Sequence, residues 1–269
     1  MIATNNYIEL WKKSAESLNN IQFHQVQNIQ IHLFTDQPED AEIWWLEQNS
    51  RIKLKTYKIP NYVWPDATLL RYEIISNHAA SLTEEILVYL DSDMLVLKEF
   101  ISTLTPYDWR SGIALVMHPG FYRTKGLAGL RERIQNPYLW IQDLKFIWRL
   151  KNGMGAWETN PISSAHVRRS KRICYVHGAI WLGLNIEFKS MIKLLEKNSK
   201  KDKLIGIIPV WHDESHLNWF NATHDVTVLD SRYSWYSEYK HLQHLEPYVE
   251  SMNKEKMHFM RQSESDTSD

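Results

Sequence analysis

The chain has little of what marks disulfide-bonded, membrane-spanning or nucleic-acid-binding proteins. Cys174 is the single cysteine among 269 residues, so an internal disulfide is excluded and a reducing compartment is expected. The formal net charge of -1 gives no general attraction to nucleic acid or anionic lipid. No apolar run approaches the length of a membrane span, and no secretory leader is recognisable. We therefore expect a cytoplasmic protein without nucleic-acid partners or a transmembrane segment.

Apolar and aromatic residues are abundant instead. Hydrophobic residues make up 43% of the chain, which is enough for a full core, and 12 residues are tryptophan. Because the chain contains no repeat and no clear linker, a single domain is the simplest organisation. Most of the aromatic rings are expected in the core, although such rings also suit the faces of sugars and bases.

The apolar residues recur with alternating helical and strand periods, which is typical of an α/β sheet. The pattern predicts helices at 7–18, 67–82, 138–150 and 188–195, and strands at 29–35, 52–54, 86–90, 113–117, 173–184 and 204–210. The stretch 173–184 is expected to form a strand, a turn and a second strand, with Cys174 buried and inert inside it.

One predicted strand leads directly into two carboxylates. Residues 86–90 read ILVYL, a run typical of a strand buried on both faces in a parallel sheet, and Asp91 and Asp93 follow it. Ligands of open α/β sheets gather at the carboxyl ends of such strands. Two carboxylates there can hold a divalent cation, which in turn holds a diphosphate. The alternative is a solvated turn, because the D-x-D pattern alone also occurs by chance.

A second group of polar residues follows the strand predicted at 204–210. Trp211 can stack on a sugar, while Asp213 and Glu214 can serve an oxocarbenium-like centre. The alternative is a structural role, in which Asp213 or Ser215 caps the helix that follows.

The same segment also permits a metal hydrolase interpretation. His212, Glu214 and His216 have the outline of a helical zinc motif. The sequence offers no further ligand with clear spacing, so this alternative is disfavoured.

The residues at 211–218, WHDESHLN, resemble the signature of the retaining α1,3-glycosyltransferases that include the blood-group A and B transferases and α1,3-galactosyltransferase. Other segments match that family in its own order. They are FTDQP at 34–38, RYEIIS at 71–76, DSDM at 91–94, HPGFY at 118–122, HGAI at 177–180, and Tyr233 with Trp235. The resemblance covers most of residues 2–236.

The resemblance implies an α/β fold of the GT-A type, with a Rossmann-like nucleotide-binding sheet and an acceptor-binding C-terminal half. It implies transfer of galactose or N-acetylgalactosamine from a UDP-sugar to a galactoside in α1,3 linkage, with retention of configuration. The acceptor would be an oligosaccharide or a glycolipid. A GT-A transferase with another donor or linkage, and an inactive carbohydrate-binding relative, stay open as alternatives.

The resemblance also implies a role for each matching residue. Glu214 would be the catalytic residue, under the anomeric carbon, as a nucleophile or as a charge-stabilising group. Asp91 and Asp93 would bind Mn²⁺ or another divalent cation. The implied donor-binding residues are Ile2, Ala3, Thr4, Tyr7, Arg71, Asp91, Ser92, Asp93, His177, Gly178, Ala179 and Asp213, and the implied acceptor-binding residues are His118 and Trp211. Ala179 with His177 favours UDP-galactose, because a side chain there leaves less room for an acetamido group.

The family pattern divides the chain into four predicted segments, and some of them depart from that pattern. Residues 1–122 are expected to bind mainly the nucleotide-sugar, with a first strand that is either shortened to 1–3 or incomplete at its start. Residues 123–156 form an insertion longer than in vertebrate members, which reshapes the acceptor site, contacts a membrane, or is simply a packed surface helix. Residues 157–240 would form the donor, acceptor and catalytic half. In the tail, 241–269, the basic residues Lys254, Lys256 and Arg261 would fold over the diphosphate, or they would simply belong to a solvated charged helix. No membrane anchor or stem is recognised, which fits a soluble bacterial or phage-type member.

Overall fold

The computed structural model describes residues 1–23, 28–62, 65–101, 104–124, 126–152 and 156–253. In these residues the chain forms three small sheets with helices packed around them. The strands are β1 (Ile2–Ala3), β2 (Gln30–Thr35), β3 (Lys53–Lys58), β4 (Ile86–Leu90), β5 (Met94–Val96), β6 (Ile113–Met117), β7 (Val176–Leu184), β8 (Thr227–Leu229) and β9 (Val249–Ser251). The helices are α1 (Tyr7–Asn19), α2 (Pro38–Glu47), α3 (Asp66–Leu69), α4 (Arg71–Asn77), α5 (Gly126–Gln135), α6 (Tyr138–Lys151), α7 (Asn185–Leu204) and α8 (His212–Thr223). The alternation of strands and helices confirms the predicted α/β class.

The N-terminal sheet is parallel, with the strand order β1-β2-β3. Ile31 and Leu33 of β2 pack with Trp11 of α1 and Trp45 of α2 in one buried cluster. This packing explains why the alternating pattern of β2 and the helical pattern of α1 were both readable, since each places its apolar residues on one face.

The second sheet is mixed and has the order β4-β7-β6-β8. β4 and β6 run antiparallel to β7, and β8 runs parallel to β6. The prediction that residues 86–90 lie in a parallel sheet is therefore wrong. Leu87 and Tyr89 do pack in one core cluster while Ile86 and Val88 contact another, so both faces are covered. Apolar runs report burial, and they do not report the direction of the neighbouring strand. Along its other edge β4 borders a cavity of about 590 Å³ that it shares with β2.

One face of the second sheet is covered by α4, α7 and α8. The predicted apolar face of α7 is confirmed, because Phe188, Met191, Ile192 and Leu195 are all buried. They join the same cluster as Trp181 of β7. This layer holds α8, and therefore residues 212–214, against the start of β7.

Three predicted elements differ from the structure. The helix predicted at 67–82 is broken into α3, α4 and a short 3₁₀ turn, with non-helical backbone at Leu70 and His78. The stretch 173–184 is one strand that starts only at Val176, and Cys174 lies before it and is half-buried. No strand forms at 204–210, because α7 continues to Leu204 and Gly206, with a φ of 70°, then turns the chain.

The C-terminal part of the described chain returns to the D-x-D segment. β9 pairs antiparallel with β5, and the backbone N–H of Met252 donates to the carbonyl oxygen of Asp93 at 2.8 Å. Residues 249–252 are thereby fixed beside the predicted metal ligands. Lys254, Lys256 and Arg261, which are expected to close over the diphosphate, lie outside the described residues.

The predicted insertion contains α5 and α6, and the helix predicted at 138–150 is confirmed. These two helices contact each other. Among the described residues, no helix combines the length and the apolarity that crossing a bilayer requires.

Candidate active site

A buried arginine connects three of the segments that the sequence analysis assigns to donor binding. Arg71 starts α4, and its Nη1 donates to the Asp213 carboxylate at 2.7 Å and to the carbonyl oxygen of Gly178 at 3.0 Å. Its Nη2 lies 3.1 Å from Asp91 Oδ1. Burial opposes the charge of the guanidinium, but Asp213 and Asp91 raise the pKa of Arg71 well above its usual value. Arg71 is therefore a fixed positive charge at the centre of the site.

The D-x-D segment lies directly after β4, as predicted. The backbone N–H of Asp91 donates to the carbonyl oxygen of Ala179 at 2.8 Å, which extends the β4–β7 pairing by one step. Asp91 Oδ1 also accepts a hydrogen bond from the Tyr89 hydroxyl at 2.6 Å. Ser92 and Asp93 are buried. The carboxylates of Asp91 and Asp93 are hard oxygen donors, and this chemistry fits Mn²⁺ or Mg²⁺ rather than a softer metal.

Glu214 is held against a glycine of β7. Its Oε2 accepts a hydrogen bond from the backbone N–H of Gly178 at 2.7 Å. A Cβ atom at position 178 would lie 3.2 Å from Glu214 Cβ and 3.3 Å from Oε2, so a larger residue would displace the carboxylate. Asn218, one turn further along α8, bonds both the N–H and the carbonyl oxygen of Val176 at 2.8 Å and fixes the helix to the strand.

Both carboxylates of α8 bind protons more tightly than usual. Burial raises the pKa of Glu214 to about 7, although the N–H of Gly178 partly opposes the shift. Burial also raises the pKa of Asp213 to about 6, against the opposing charge of Arg71. A positive charge that develops next to Glu214 would favour its ionised form. Glu214 can therefore lose its proton when a cationic centre develops beside it.

Two histidines face each other beside Glu214. His118 Nδ1 accepts the backbone N–H of Gly120 at 3.0 Å, so the neutral ring carries its proton on Nε2. Burial, with a contribution from His177, lowers the pKa of His118 well below its usual value. The two rings are 4.7 Å apart, and His177 Nδ1 lies 2.6 Å from the Ser234 hydroxyl. His118 therefore presents a neutral N–H donor, which suits a sugar hydroxyl.

The zinc interpretation of residues 212–216 does not fit the geometry. His212 has a φ of 46° at the start of α8, and its Nδ1 contacts the Thr68 hydroxyl at 3.1 Å. His216 is buried, with Nε2 3.8 Å from the carboxylate of Asp202. Glu214 instead accepts the N–H of Gly178, so the three side chains contact different parts of the protein. Among the described residues, the group of side chains close enough to hold a metal ion is instead His118, His177 and Glu214.

The predicted capping role is only partly correct. Trp211 precedes α8, and its backbone N–H donates to the Ser215 hydroxyl at 2.9 Å. The carboxylate of Asp213 is bound by Arg71, and the backbone N–H groups of Asp213 and Glu214 also stabilise its charge. The Trp211 side chain is 50% exposed, which leaves its ring available to a ligand.

The predicted uridine-binding residues form a turn after β1. The Thr4 hydroxyl donates to the carbonyl oxygen of Tyr62 at 2.8 Å. Asn5 has a φ of 53°, and its N–H donates to Asp36 Oδ1 at 3.1 Å, while Gln37 Nε2 donates to the Asn5 carbonyl at 3.2 Å. Ile2 and Ala3 pair with β2, and the Tyr7 side chain is exposed.

Several residues that shape the site received no role from the sequence. Asp36 and Gln37 hold the turn at 4–7, and their only signal was their place in the FTDQP segment. The Tyr72 hydroxyl donates to the carbonyl oxygen of Asp213 at 2.9 Å. The pKa of Tyr175 is raised well above its usual value by burial and by Glu214. No periodic pattern distinguishes these tyrosines from ordinary core residues.

The α/β fold, with an arginine-linked carboxylate cluster at the end of β4, is that of the GT-A class of glycosyltransferases. The chain matches Glycosyltransferase family 6 over residues 1–262 and belongs to that family. The predicted family and GT-A type are thereby confirmed.

Three curated relatives illustrate the distance within the family. Histo-blood group ABO system transferase 1 of Rattus norvegicus is 26% identical over 231 residues, which are 85% of this chain and 57% of the relative. Globoside alpha-1,3-N-acetylgalactosaminyltransferase 1 of Gallus gallus is 24% identical over 237 residues, with shares of 85% and 57%. O-antigen biosynthesis glycosyltransferase WbnI of Escherichia coli is 22% identical over 190 residues, with shares of 70% and 68%. The chain spans little more than half the length of the first two relatives.

Proposed function

We propose that the protein is a retaining glycosyltransferase that moves galactose or N-acetylgalactosamine from a UDP-sugar to a galactoside acceptor in α1,3 linkage. The observation that carries this proposal is the connection of Asp91, Gly178 and Asp213 through Arg71, with Glu214 bonded to that same glycine. The name of the Gallus gallus relative, an alpha-1,3-N-acetylgalactosaminyltransferase, supports the α1,3 linkage and N-acetylgalactosamine as one of the two donors. The cytoplasmic location expected from the sequence stays a prediction.

The donor site is proposed to run from the turn at 4–7 to Arg71. The turn would contact uridine. Asp91 and Asp93 would hold Mn²⁺ or another divalent cation. Such a cation neutralises the charge on the departing diphosphate. Arg71 and Asp213 would orient the donor sugar between that end and Glu214.

Glu214 is proposed to act on the anomeric carbon. When the bond to UDP breaks, positive charge develops at that carbon, and a carboxylate on the opposite face stabilises it by charge or by a transient covalent bond. Either route keeps the α configuration. His118, through Nε2, and the half-exposed ring of Trp211 would bind the acceptor sugar.

The donor sugar is proposed to be read by the segment from His177 to Ala179. Ala179 is buried and carries a methyl group where glycine would leave space, which favours galactose over N-acetylgalactosamine. Gly178 returns some of that space, so both donors must be tested.

The first experiment measures UDP release from UDP-galactose and from UDP-N-acetylgalactosamine, with Mn²⁺, and with lactose or fucosylated lactose as acceptor. We expect acceptor-stimulated release from one donor. Glu214→Gln should lower kcat by a factor on the order of 10²–10³, the size seen when a stabilising group at a reacting centre is lost. No release from any donor would identify an inactive carbohydrate-binding relative, while release without α1,3 product would indicate another linkage.

Asp93→Asn tests the metal assignment separately. The substitution keeps the shape of the side chain and removes its charge, so stimulation of UDP release by Mn²⁺ should be lost. An unchanged response to Mn²⁺ would show that the cation is bound elsewhere, and the cluster of His118, His177 and Glu214 would be the next place to examine.

A further inference from the structure

The outer face of α6 is apolar. Its exposed members lie at positions i, i+1, i+4, i+7 and i+8, which confine them to an arc of about 120° on the helix. They are Trp140, Ile141, Leu144, Ile147 and Trp148, and their exposed fractions range from 50% to 68%. We call these five residues the α6 stripe. A helix of a soluble protein normally turns such a stripe toward the core.

α5 adds further apolar side chains to the exposed surface of the insertion. Leu127 is 87% exposed, Ile134 is 67% exposed and Leu130 is 46% exposed. Scattered single apolar residues are normal on a protein surface, but eight on two contacting helices are not. This concentration indicates a surface that is covered when the protein works.

The opposite face of α6 is attached to the acceptor side of the site. The ring of Phe146 lies 5.5 Å from that of Phe121, and the Arg123 guanidinium lies 4.0 Å from the centre of the Phe146 ring. Arg133 of α5 contacts the Asp143 carboxylate at 2.6 Å. Phe121 also contacts the ring of His118. The α6 stripe therefore has a fixed relation to the proposed acceptor-binding histidine.

The charge of this region identifies the kind of surface that would cover it. Residues 123–151 contain seven Lys or Arg and two Asp or Glu, in a chain whose formal net charge is -1. Arg131, Lys145 and Arg149 are exposed on the same two helices as these apolar residues. Tryptophans in an apolar face with basic residues at its border are typical of helices that lie in the headgroup region of a membrane. A second copy of the chain would instead bring like charges together.

We propose that α5 and α6 lie on an anionic membrane, with the α6 stripe in contact with the acyl chains, and that this membrane presents a lipid-linked glycan to the site. The second part rests on the proposed function, and the membrane contact does not. Insertion to a depth of about 5–10 Å is sufficient for such helices. The acceptor would then reach His118 from the side of the protein that faces the lipid.

Vesicle flotation tests the contact without any activity measurement. The probes are vesicles of phosphatidylcholine alone and vesicles with equal parts of phosphatidylcholine and phosphatidylglycerol. We expect at least about tenfold stronger binding to the anionic vesicles, weakened by high salt. Trp140→Ser with Trp148→Ser should reduce this binding by at least about tenfold. The matched control is Ile43→Ser with Leu46→Ser, which removes apolar side chains that are 61% and 77% exposed on α2 and should leave binding unchanged.

Three results would overturn the proposal. They are no binding of the unaltered protein to anionic vesicles, an equal loss of binding in the α2 control, and a dimer by light scattering that the tryptophan variant abolishes in the absence of vesicle binding. Circular dichroism and the melting temperature show that each variant is folded.

A second readout separates this proposal from the proposed function. The tryptophan variant should release UDP with lactose at the normal rate, but it should lose about tenfold in turnover of a galactose-terminated glycolipid held in anionic vesicles. Equal turnover of the glycolipid by both proteins would refute presentation from the membrane. Vesicle binding without UDP release from any donor would leave the membrane contact in place and reject the transferase.

Discussion

Two regions of this protein reverse the usual distribution of polar and apolar groups. Around Arg71 and Glu214, charged side chains are held in the interior. On α5 and α6, tryptophan, leucine and isoleucine side chains are held outside. Charged groups are seldom buried without partners, and large apolar surfaces are seldom left exposed. The buried charges are compensated by other groups of the same chain. The exposed apolar surface requires a binding partner outside the chain.

In the first region, each buried charge has a partner of opposite charge or a hydrogen-bonding group within the chain. Arg71 is surrounded by the carboxylates of Asp91 and Asp213 and by the carbonyl oxygen of Gly178, and Tyr72 bonds the backbone of Asp213. A buried ion pair of this kind contributes little to stability as a whole. Removal of one partner, however, leaves the other as an uncompensated buried charge. The site therefore depends on all members being present.

Removal of the central charge should have the largest effect. Arg71→Leu leaves Asp91 and Asp213 as neighbouring carboxylates without a cation, and we expect a loss of about 3–5 kcal/mol in the free energy of unfolding. Urea denaturation followed by circular dichroism measures it. Arg110→Leu is the control, because its ion pair with Asp225 is exposed and should contribute less than about 1 kcal/mol. Equal losses in the two variants would contradict the described role of Arg71.

Gly178→Ala disturbs the same region by shape alone. The new methyl group would lie 3.2 Å from Glu214 Cβ, so the carboxylate must move by a few tenths of an ångström. We expect kcat to fall by about tenfold, in line with the cost of misplacing a reacting group, while KM for the donor changes little. Gly206→Ala is the control: its backbone has a φ of 70° but open space around it, so it should lower stability without lowering kcat. A normal kcat in Gly178→Ala would show that Glu214 does not require this contact.

The sequence singled out residues that the structure brings together, but it did not predict which of them contact one another. Asp91 and Asp93 were identifiable because an apolar run ends at them, and the WHDESHLN segment identified Asp213 and Glu214. The contact between Arg71 and Gly178, in contrast, joins residues 107 positions apart. No periodic pattern reports such a pair, because periodicity is set by the nearest turns of a helix or strand.

The fold shows the same division between local and long-range information. The helical period of α6 was readable, and so was its apolar stripe, but the period does not say whether the stripe faces the core or the solvent. The direction of β4 was predicted wrongly because a run buried on both faces is compatible with either pairing. The missing strand at 204–210 depends on Gly206, whose left-handed backbone follows the last turn of α7. The error for β4 concerns the strand that lies next to it, whereas the error at 204–210 concerns a turn inside the predicted segment.

The pH dependence of stability should show how tightly the interior of the site binds protons. Because the pKa of Glu214 is raised from 4.5 to about 7, the folded state holds its proton more strongly than the unfolded state does. This contribution to stability is present below pH 4.5 and is lost as the pH rises toward 7. Glu214→Gln removes it, so the melting temperature of the variant should fall less between pH 5 and pH 7.5 than that of the unaltered protein. Asp213, with a pKa raised to about 6, retains part of the slope in both proteins. Identical falls would mean that Glu214 is ionised at pH 5 in the folded protein.

The smallest effect is expected in the second region. Leu144 is 68% exposed, so Leu144→Ser should change the free energy of unfolding by no more than about 0.5 kcal/mol. Leu195, on the buried face of α7, has no exposed surface, and Leu195→Ala should cost about 2–5 kcal/mol. Urea denaturation in the absence of lipid compares the two. A large loss for Leu144→Ser would mean that α6 buries this face against the protein in solution. Near-zero loss, together with reduced vesicle binding, would show that the apolar surface of α6 serves an external partner and contributes nothing to the fold.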